Sequence, residues 1–223
     1  MTPARYPSQD PAQAYLELVL NQNRQDALDM IMDLVDTGTS IKSIYLDIFQ
    51  PAMHLVGELW QHDRISVAQE HYCTGVTQFI ISQLYPYLFQ EHDRGRTMAG
   101  CCVSGELHEM GIRMVCDFFE MDGWDSYYLG ANTPAEALVE FLADKNTELL
   151  AISVTMTFHL PKAKALVRTV REHFGSEVKI ILGGYPFLRS TTLCDRIGGD
   201  GYSLDAQSAV DLGNRLTGDS HGR

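Results

Sequence analysis

The chain has 223 residues, 45% of them apolar, which is enough for one large domain or two small ones with real cores. Its 17 basic against 29 acidic residues give a formal net charge of -12, the opposite of what phosphate backbones and anionic membranes select, so direct nucleic-acid binding and membrane docking are disfavoured. No stretch reaches the apolar length of a spanning helix and residues 1–10 lack the apolar core of a signal peptide, so a cytoplasmic location is expected. The five cysteines (Cys73, Cys101, Cys102, Cys116, Cys194) are odd in number and lack a Cys-x-x-Cys spacing, which points to reduced thiols, mostly in the core.

Residues 11–89 carry apolar positions at helical spacing and almost no strand signal. Leu28, Ile31, Met32 and Val35 form one such stripe, closed by Gly38. The pattern predicts a four-helix bundle with helices near 11–21, 24–37, 40–60 and 66–89. Pro51 must bend the third, because its ring removes a backbone donor and clashes with the preceding turn. Ser66 and Gln69 are spaced as a capping box at the start of the fourth. The polar segment Gln90 to Arg96 has the composition of a domain boundary, dividing the chain into a helical domain, 1–92, and a second domain, 93–223.

From about residue 97 short apolar, β-branched runs alternate with amphipathic stretches. Strands are predicted at 98–103, 124–129, 149–155 and 178–182, and helices near 109–121, 133–145, 160–174 and 205–217, with 218–223 frayed. This rhythm means an α/β fold: a Rossmann-like, flavodoxin-like doubly wound parallel sheet covered on both faces.

In such sheets ligands settle outside the carboxyl ends of the strands, where the strand order reverses. Three unusual segments fall at such ends. Glu106-Leu107-His108-Glu109-Met110-Gly111 follows the first strand and sets an imidazole beside a carboxylate; Ser153-Val154-Thr155 ends the third strand; Gly183-Gly184, followed by Tyr185, comes after the fourth. Paired glycines let a ligand approach the backbone, and hydroxyls donate to a buried heteroatom without adding charge. Taken singly, each has a bland reading as a surface histidine, a turn or an ordinary strand residue; their convergence on one sheet edge outweighs it. There is no Gly-x-Gly-x-x-Gly and no Gly-Lys-Ser/Thr loop, so a dinucleotide or triphosphate site lacks its residues.

The pattern Glu106-x-His108-x-x-Gly111 resembles the Asp-x-His-x-x-Gly signature of cobalamin-binding Rossmann-like domains. Residues 97–217 look like the cobalamin-binding domain of methionine synthase and its relatives, down to the Gly199-Asp200-Gly201-Tyr202 and Asp205-Ala206 ending. The resemblance implies that His108 is the lower cobalt ligand in place of the cofactor's own dimethylbenzimidazole. It implies that Glu106 orients the other ring nitrogen, and that Ser153, Thr155, Gly183 and Gly184 line a slot for the displaced nucleotide tail. Glu stands where Asp is usual, which changes reach rather than charge and puts the hydrogen-bond geometry, more than the ligation, in question.

In the helical half, Trp60 and Glu70-His71 stand at the spacing of a Trp, nine residues, then Glu-His. This resembles the cap of CarH-type cobalamin photoreceptors, where the Trp and Glu meet an adenosyl group on the upper face. The bland reading makes Trp60 a core residue and Glu70-His71 a solvated first turn. CarH-type receptors that form a bis-histidine state place His directly after the Trp, whereas Gln61 and then His62 follow here, leaving His62, His71 or no protein group for the upper position after photolysis.

The resemblance implies an adenosylcobalamin light sensor, not an enzyme, akin to AerR-type antirepressors: light breaks the cobalt–carbon bond and the rearrangement is passed to a protein partner, a transcription regulator or signalling protein. Three alternatives stand beside it. One is a corrinoid methyl-carrier protein of a methyltransferase system, against which the Trp60, Glu70, His71 spacing argues. Another is a receptor that also binds a bilin, lined by Tyr45, Tyr72, Phe79, Tyr85 and Tyr87. The third is a ligand-free flavodoxin-like interaction module. Surplus apolar helix faces leave room for a homodimer.

Overall fold

The computed structural model describes residues 10–88, 94–190 and 192–218. The expected signal-free start at 1–9, most of the boundary segment (90–93) and the tail beyond Gly218 lie outside them. The chain divides into two compact units, Met1–Leu88 and Phe89–Arg223.

The first unit is helical. Helix α1 (Pro11–Leu20) starts on Asp10, whose carboxylate accepts from Ala12 N–H, and α2 (Arg24–Asp36) ends where Gly38 takes φ +91°. The predicted third helix is a continuous run in three parts: α3 (Ile41–Ser43), a π-helical segment (Ile44–Phe49) and α4 (Gln50–Gln61). Pro51 is the cause: it offers no N–H to the turn before it, and the wider π turn immediately precedes it. Helix α5 (Val67–Leu84) carries both halves of the Ser66/Gln69 capping box and passes at Pro86 into a short 3-10 turn, Tyr85–Tyr87. Its core is Tyr15, Ile31, Tyr45, Phe49, Val56 and Ile80, all fully buried. Tyr15 packs on Phe49 at 5.2 Å between ring centres and bonds Thr77 Oγ1 at 2.9 Å.

The second unit is a parallel sheet with helices on both faces. Its elements are β1 (Thr97–Cys102), α6 (Met110–Met121), β2 (Asp125–Gly130), α7 (Ala135–Asp144), β3 (Leu149–Ser153), α8 (Leu160–Phe174), β4 (Lys179–Gly183), α9 (Leu193–Ile197), β5 (Gly201–Tyr202) and α10 (Ala206–Leu216). The strand order is β2-β1-β3-β4-β5, the flavodoxin-like order, with its reversal between β1 and β3. Alternation along each strand serves two buried faces. Ala99, Cys101, Leu150, Ile152, Ile180 and Leu182 join α7, α8 and α9 in one core. On the other face Gly100 lies against Cys116 and Ile112 of α6, and Gly213 of α10 against Leu149 and Phe119.

Strand β5 and helix α9 were not expected: β5 is only Gly201 and Tyr202 and α9 only Leu193–Ile197, both too short for an apolar period to read. Asp200 explains the Gly-Asp-Gly-Tyr ending: its Oδ2 accepts from Ile180 N–H and from Arg171, both at 2.6 Å, fastening β5 to β4 and α8. Asp205 caps α10 in a capping box with Ser208. All five cysteines are buried thiols, and burial pushes Cys101 up to about 12 and Cys73 and Cys194 to about 11. Among the described residues no helix is long and apolar enough to cross a membrane.

Candidate functional site

The loop after β1 and the loop after β3 meet at the point where the strand order reverses, and a single carboxylate joins them. Glu106 is fully buried. Its Oε1 accepts from Leu107 N–H (3.1 Å), His108 N–H (3.2 Å) and His108 Nδ1 (2.5 Å). Its Oε2 accepts from Thr155 N–H (3.0 Å), Met156 N–H (2.9 Å) and His159 Nδ1 (3.0 Å). Burial pushes this carboxyl up, but the His108 side chain, the Met156 backbone and the His159 side chain together outweigh burial and hold it well below the usual carboxylate range.

An ionised carboxylate only accepts, so His108 carries a hydrogen on Nδ1, and in the neutral imidazole the lone pair is then on Nε2. The His108 side chain is 43% exposed and that of Glu106 1%: a charge in the protein interior holds an imidazole that reaches the surface. The longer glutamate arm does not upset the geometry. It lets one oxygen serve its own loop while the other crosses to residues 155, 156 and 159.

The remaining expected residues fall around this pair. Ser153 is buried at the end of β3, paired in register with Gly183 of β4. Gly184 has φ +103°, and a Cβ there would lie 2.0 Å from the Val154 carbonyl oxygen, so no side chain fits. A Cβ on Gly183 would meet nothing closer than 3.8 Å and one on Gly111, in the first turn of α6, nothing within 4 Å. Tyr185 is exposed and carries the Arg189 guanidinium 4.9 Å from its ring centre. The exposed large apolar residues of this unit, Leu107, Tyr128, Phe158, Tyr185, Leu188 and Leu204, lie on β2 or just beyond the carboxyl ends of β1, β3, β4 and β5. An apolar rim of this kind marks a ligand or partner surface.

Two residues of the site were not expected. His159 is buried beside Phe158, their rings edge to face at 4.4 Å; its signal is a histidine four residues past Thr155, still on the loop after β3. Asn132 takes φ +53°, donates its N–H to the Glu106 carbonyl (3.1 Å) and accepts from Gly105 N–H (2.7 Å), bracing the loop. Asn tolerates that backbone conformation, and the Gly130-Ala131-Asn132-Thr133-Pro134 turn is where it could be read.

In the helical unit Trp60 is half-buried on α4. Glu70 accepts from Thr74 Oγ1 at 2.9 Å and lies 3.6 Å from His71, whose side chain is 75% exposed. His62 caps α4, with its Nδ1 2.7 Å from the Glu58 carbonyl. Among the residues expected to line a bilin site Tyr45 is a correction: it is fully buried against Phe49, as core aromatics at helical spacing are, while Tyr72, Phe79, Tyr85 and Tyr87 are exposed.

Comparison with known proteins agrees with this architecture. Residues 11–85 match a family described as B12 binding domain. A corrinoid protein of Desulfitobacterium hafniense is 25% identical over 91% of this chain and 92% of its own length. Monomethylamine corrinoid protein 1 of Methanosarcina acetivorans is 25% identical over 86% and 90%. The solved structure of the Methanosarcina barkeri monomethylamine corrinoid protein superposes with a TM-score of 0.80 at 22% identity, covering 91% of this chain and 96% of that one, a likeness of fold. These relatives are corrinoid proteins and do not carry the photoreceptor assignment. With residues 96–211, more than half of its length, matching the B12 binding domain family, the chain belongs to that family.

Proposed function

We propose that this protein holds a corrinoid with His108 as the lower cobalt ligand and serves as a methyl-carrier protein between partner enzymes of a methyltransferase system. The observation that carries the proposal is the buried Glu106 carboxylate behind a surface-reaching imidazole. A carboxylate in that position fixes the tautomer and ring orientation of a metal-bound histidine and raises its basicity. When bound, the corrinoid supplies a cobalt centre that takes up and gives up a methyl group. The chain's own part is to present Nε2 of His108 and keep its proton on Nδ1. Ser153, Thr155, Gly183, Gly184 and Tyr185 are assigned to the nucleotide tail, Leu107 and Gly111 to the macrocycle. The open space beside Gly111 suits such an occupant, while Gly184 is needed to let the chain pass its own Val154 carbonyl.

The carrier role rests on the relatives named above as corrinoid and monomethylamine corrinoid proteins, and its partners are the proteins that donate and receive the methyl group. An adenosylcobalamin light sensor signalling to a regulatory partner is the second reading, supported by the spacing of Trp60, Glu70 and His71, which it places against the upper ligand. No specific observation supports a bilin. Reconstitution with methyl-, adenosyl- and hydroxocobalamin separates the two. Uptake of methylcobalamin and methyl transfer to a thiol or tetrahydropterin with a partner enzyme is the expected result. Adenosyl preference with a spectrum that changes under green light would establish the sensor instead, and failure to take up any corrinoid would reject both.

A further inference from the structure

Positive charge is concentrated in one part of this acidic chain. Residues 160–198 hold seven of its 17 basic residues but three of its 29 acidic ones. The tract begins with α8, which buries Ala163, Leu166, Val167 and Val170 in the core of the sheet unit and turns Lys164, Ala165 and Arg168 outward. Lys164, Arg168 and Arg171, at i, i+4 and i+7, share one side of the helix. They line a groove of about 440 Å³ whose other walls include Pro161, Ala165, Ile197 and Gly198. Arg171 is already held, by the Asp200 carboxylate at 2.6 Å and the Val178 carbonyl at 2.7 Å. Arg168 is held loosely: its ion pair with Glu172 spans 3.6 Å and joins side chains 75% and 63% exposed, a weak surface pair. Lys164 and Arg168 thus offer two solvent-facing cations beside an apolar floor.

We infer that the groove along α8 and α9 is a docking site for a short acidic segment of a partner protein, whose carboxylates pair with Lys164 and Arg168 while an apolar side chain covers Pro161 and Ala165. The occupant follows from charge and size. Cations beside an apolar floor are complementary to carboxylates interleaved with apolar residues. From Pro161 to Arg171 the groove follows about 15 Å of helix, at about 1.5 Å per residue, the reach of a short segment. A long polyanion such as a nucleic acid would run off this tract onto the acidic remainder of the surface and be repelled. A short segment would not, because charges beyond about 8 Å are screened at physiological salt. The inference is independent of the cobalt ligand, since none of the groove residues belongs to the Glu106 and His108 pair.

The test uses the full chain, with hydroxocobalamin added, and a fluorescein-labelled peptide of about ten residues, half glutamate and half leucine and alanine. Anisotropy reports binding, and amide shifts in the nuclear magnetic resonance spectrum of the labelled protein report where it occurs. Wild type is expected to bind the peptide with shifts concentrated in α8 and α9. The double variant Lys164→Glu, Arg168→Glu replaces two attractions by two repulsions at exposed positions and should bind about tenfold more weakly. Lys145→Glu, a charge reversal on another helix, should stay within about twofold of wild type. No binding by wild type at about 1 mM protein, or shifts elsewhere in the chain, overturns the inference. An equal loss in Lys145→Glu overturns it by showing attraction to total charge alone. Equal binding of a peptide with glutamine in place of glutamate would reduce the groove to an apolar surface, and tighter binding of an oligothymidylate of about ten nucleotides would make it a nucleic-acid site; either result rejects the acidic partner.

Discussion

Glu106→Gln changes one oxygen to NH2 and tests the site at its centre. Each carboxylate oxygen accepts three N–H groups, so whichever way the amide turns, its NH2 end faces three donors and can accept from none. A lost hydrogen bond to a charged group costs about 1.5–3 kcal/mol, and the buried backbone donors have no water to turn to. Relief from burying a charge offsets part of this, leaving a net loss of about 3 kcal/mol, or about 6–12 °C in Tm for a chain of this size. Corrinoid affinity should fall about 10- to 100-fold, the usual effect of removing the hydrogen-bond partner of a metal-bound histidine. Thermal unfolding of the apoprotein by circular dichroism and titration with hydroxocobalamin by absorbance measure the two effects. The pH dependence has a definite sign. The folded carboxyl lies below its ordinary value of 4.5, so its stabilisation is fully present above about pH 4.5 and fades as pH falls below it. The Tm gap between wild type and Glu106→Gln should therefore be constant above pH 4.5 and narrow below it. Equal stability of the two proteins at pH 7, with affinities within twofold, would refute the role given to Glu106.

His108→Ala should fold normally, bind corrinoid weakly and show the spectrum of a cofactor ligated by its own base or by water; a spectrum identical to wild type would mean that another residue is the ligand. Gly184→Ala must place a Cβ 2.0 Å from the Val154 carbonyl at φ +103°, a clash and a strained backbone together, so a loss of at least about 3 kcal/mol or failure to fold is expected in denaturant unfolding. Gly111→Ala meets no atom within 4 Å and should stabilise the apoprotein by about 0.5–1 kcal/mol through helix propensity, while weakening corrinoid uptake; unchanged uptake would remove Gly111 from the site. Trp60→Ala should spare hydroxocobalamin binding and, if Trp60 meets the upper ligand, alter the preference between adenosyl- and methylcobalamin, measured by competition.

Much of the architecture is legible in residue order because it rests on local physics. The change from helical to strand-helix period near residue 97, the cap at Ser66 and the stop at Gly38 are each written in neighbouring residues, and the predicted strands fall within about two residues of β1 to β4. Glu106 and His108 could be paired because they are two residues apart. What the chain's order alone could not supply is whatever depends on distant partners. The order β2-β1-β3-β4-β5 puts the reversal between β1 and β3, and only then do residues 155, 156 and 159 come within reach of a carboxylate about 50 positions earlier. Asn132 joins the site across 27 positions, and β5 exists because Asp200 ties two residues to a neighbouring strand. Periodicity reports which face of an element is buried; it carries no term for which loops the sheet order brings together. That contact, made by tertiary packing around one desolvated charge, decided that His108 has a second histidine behind it.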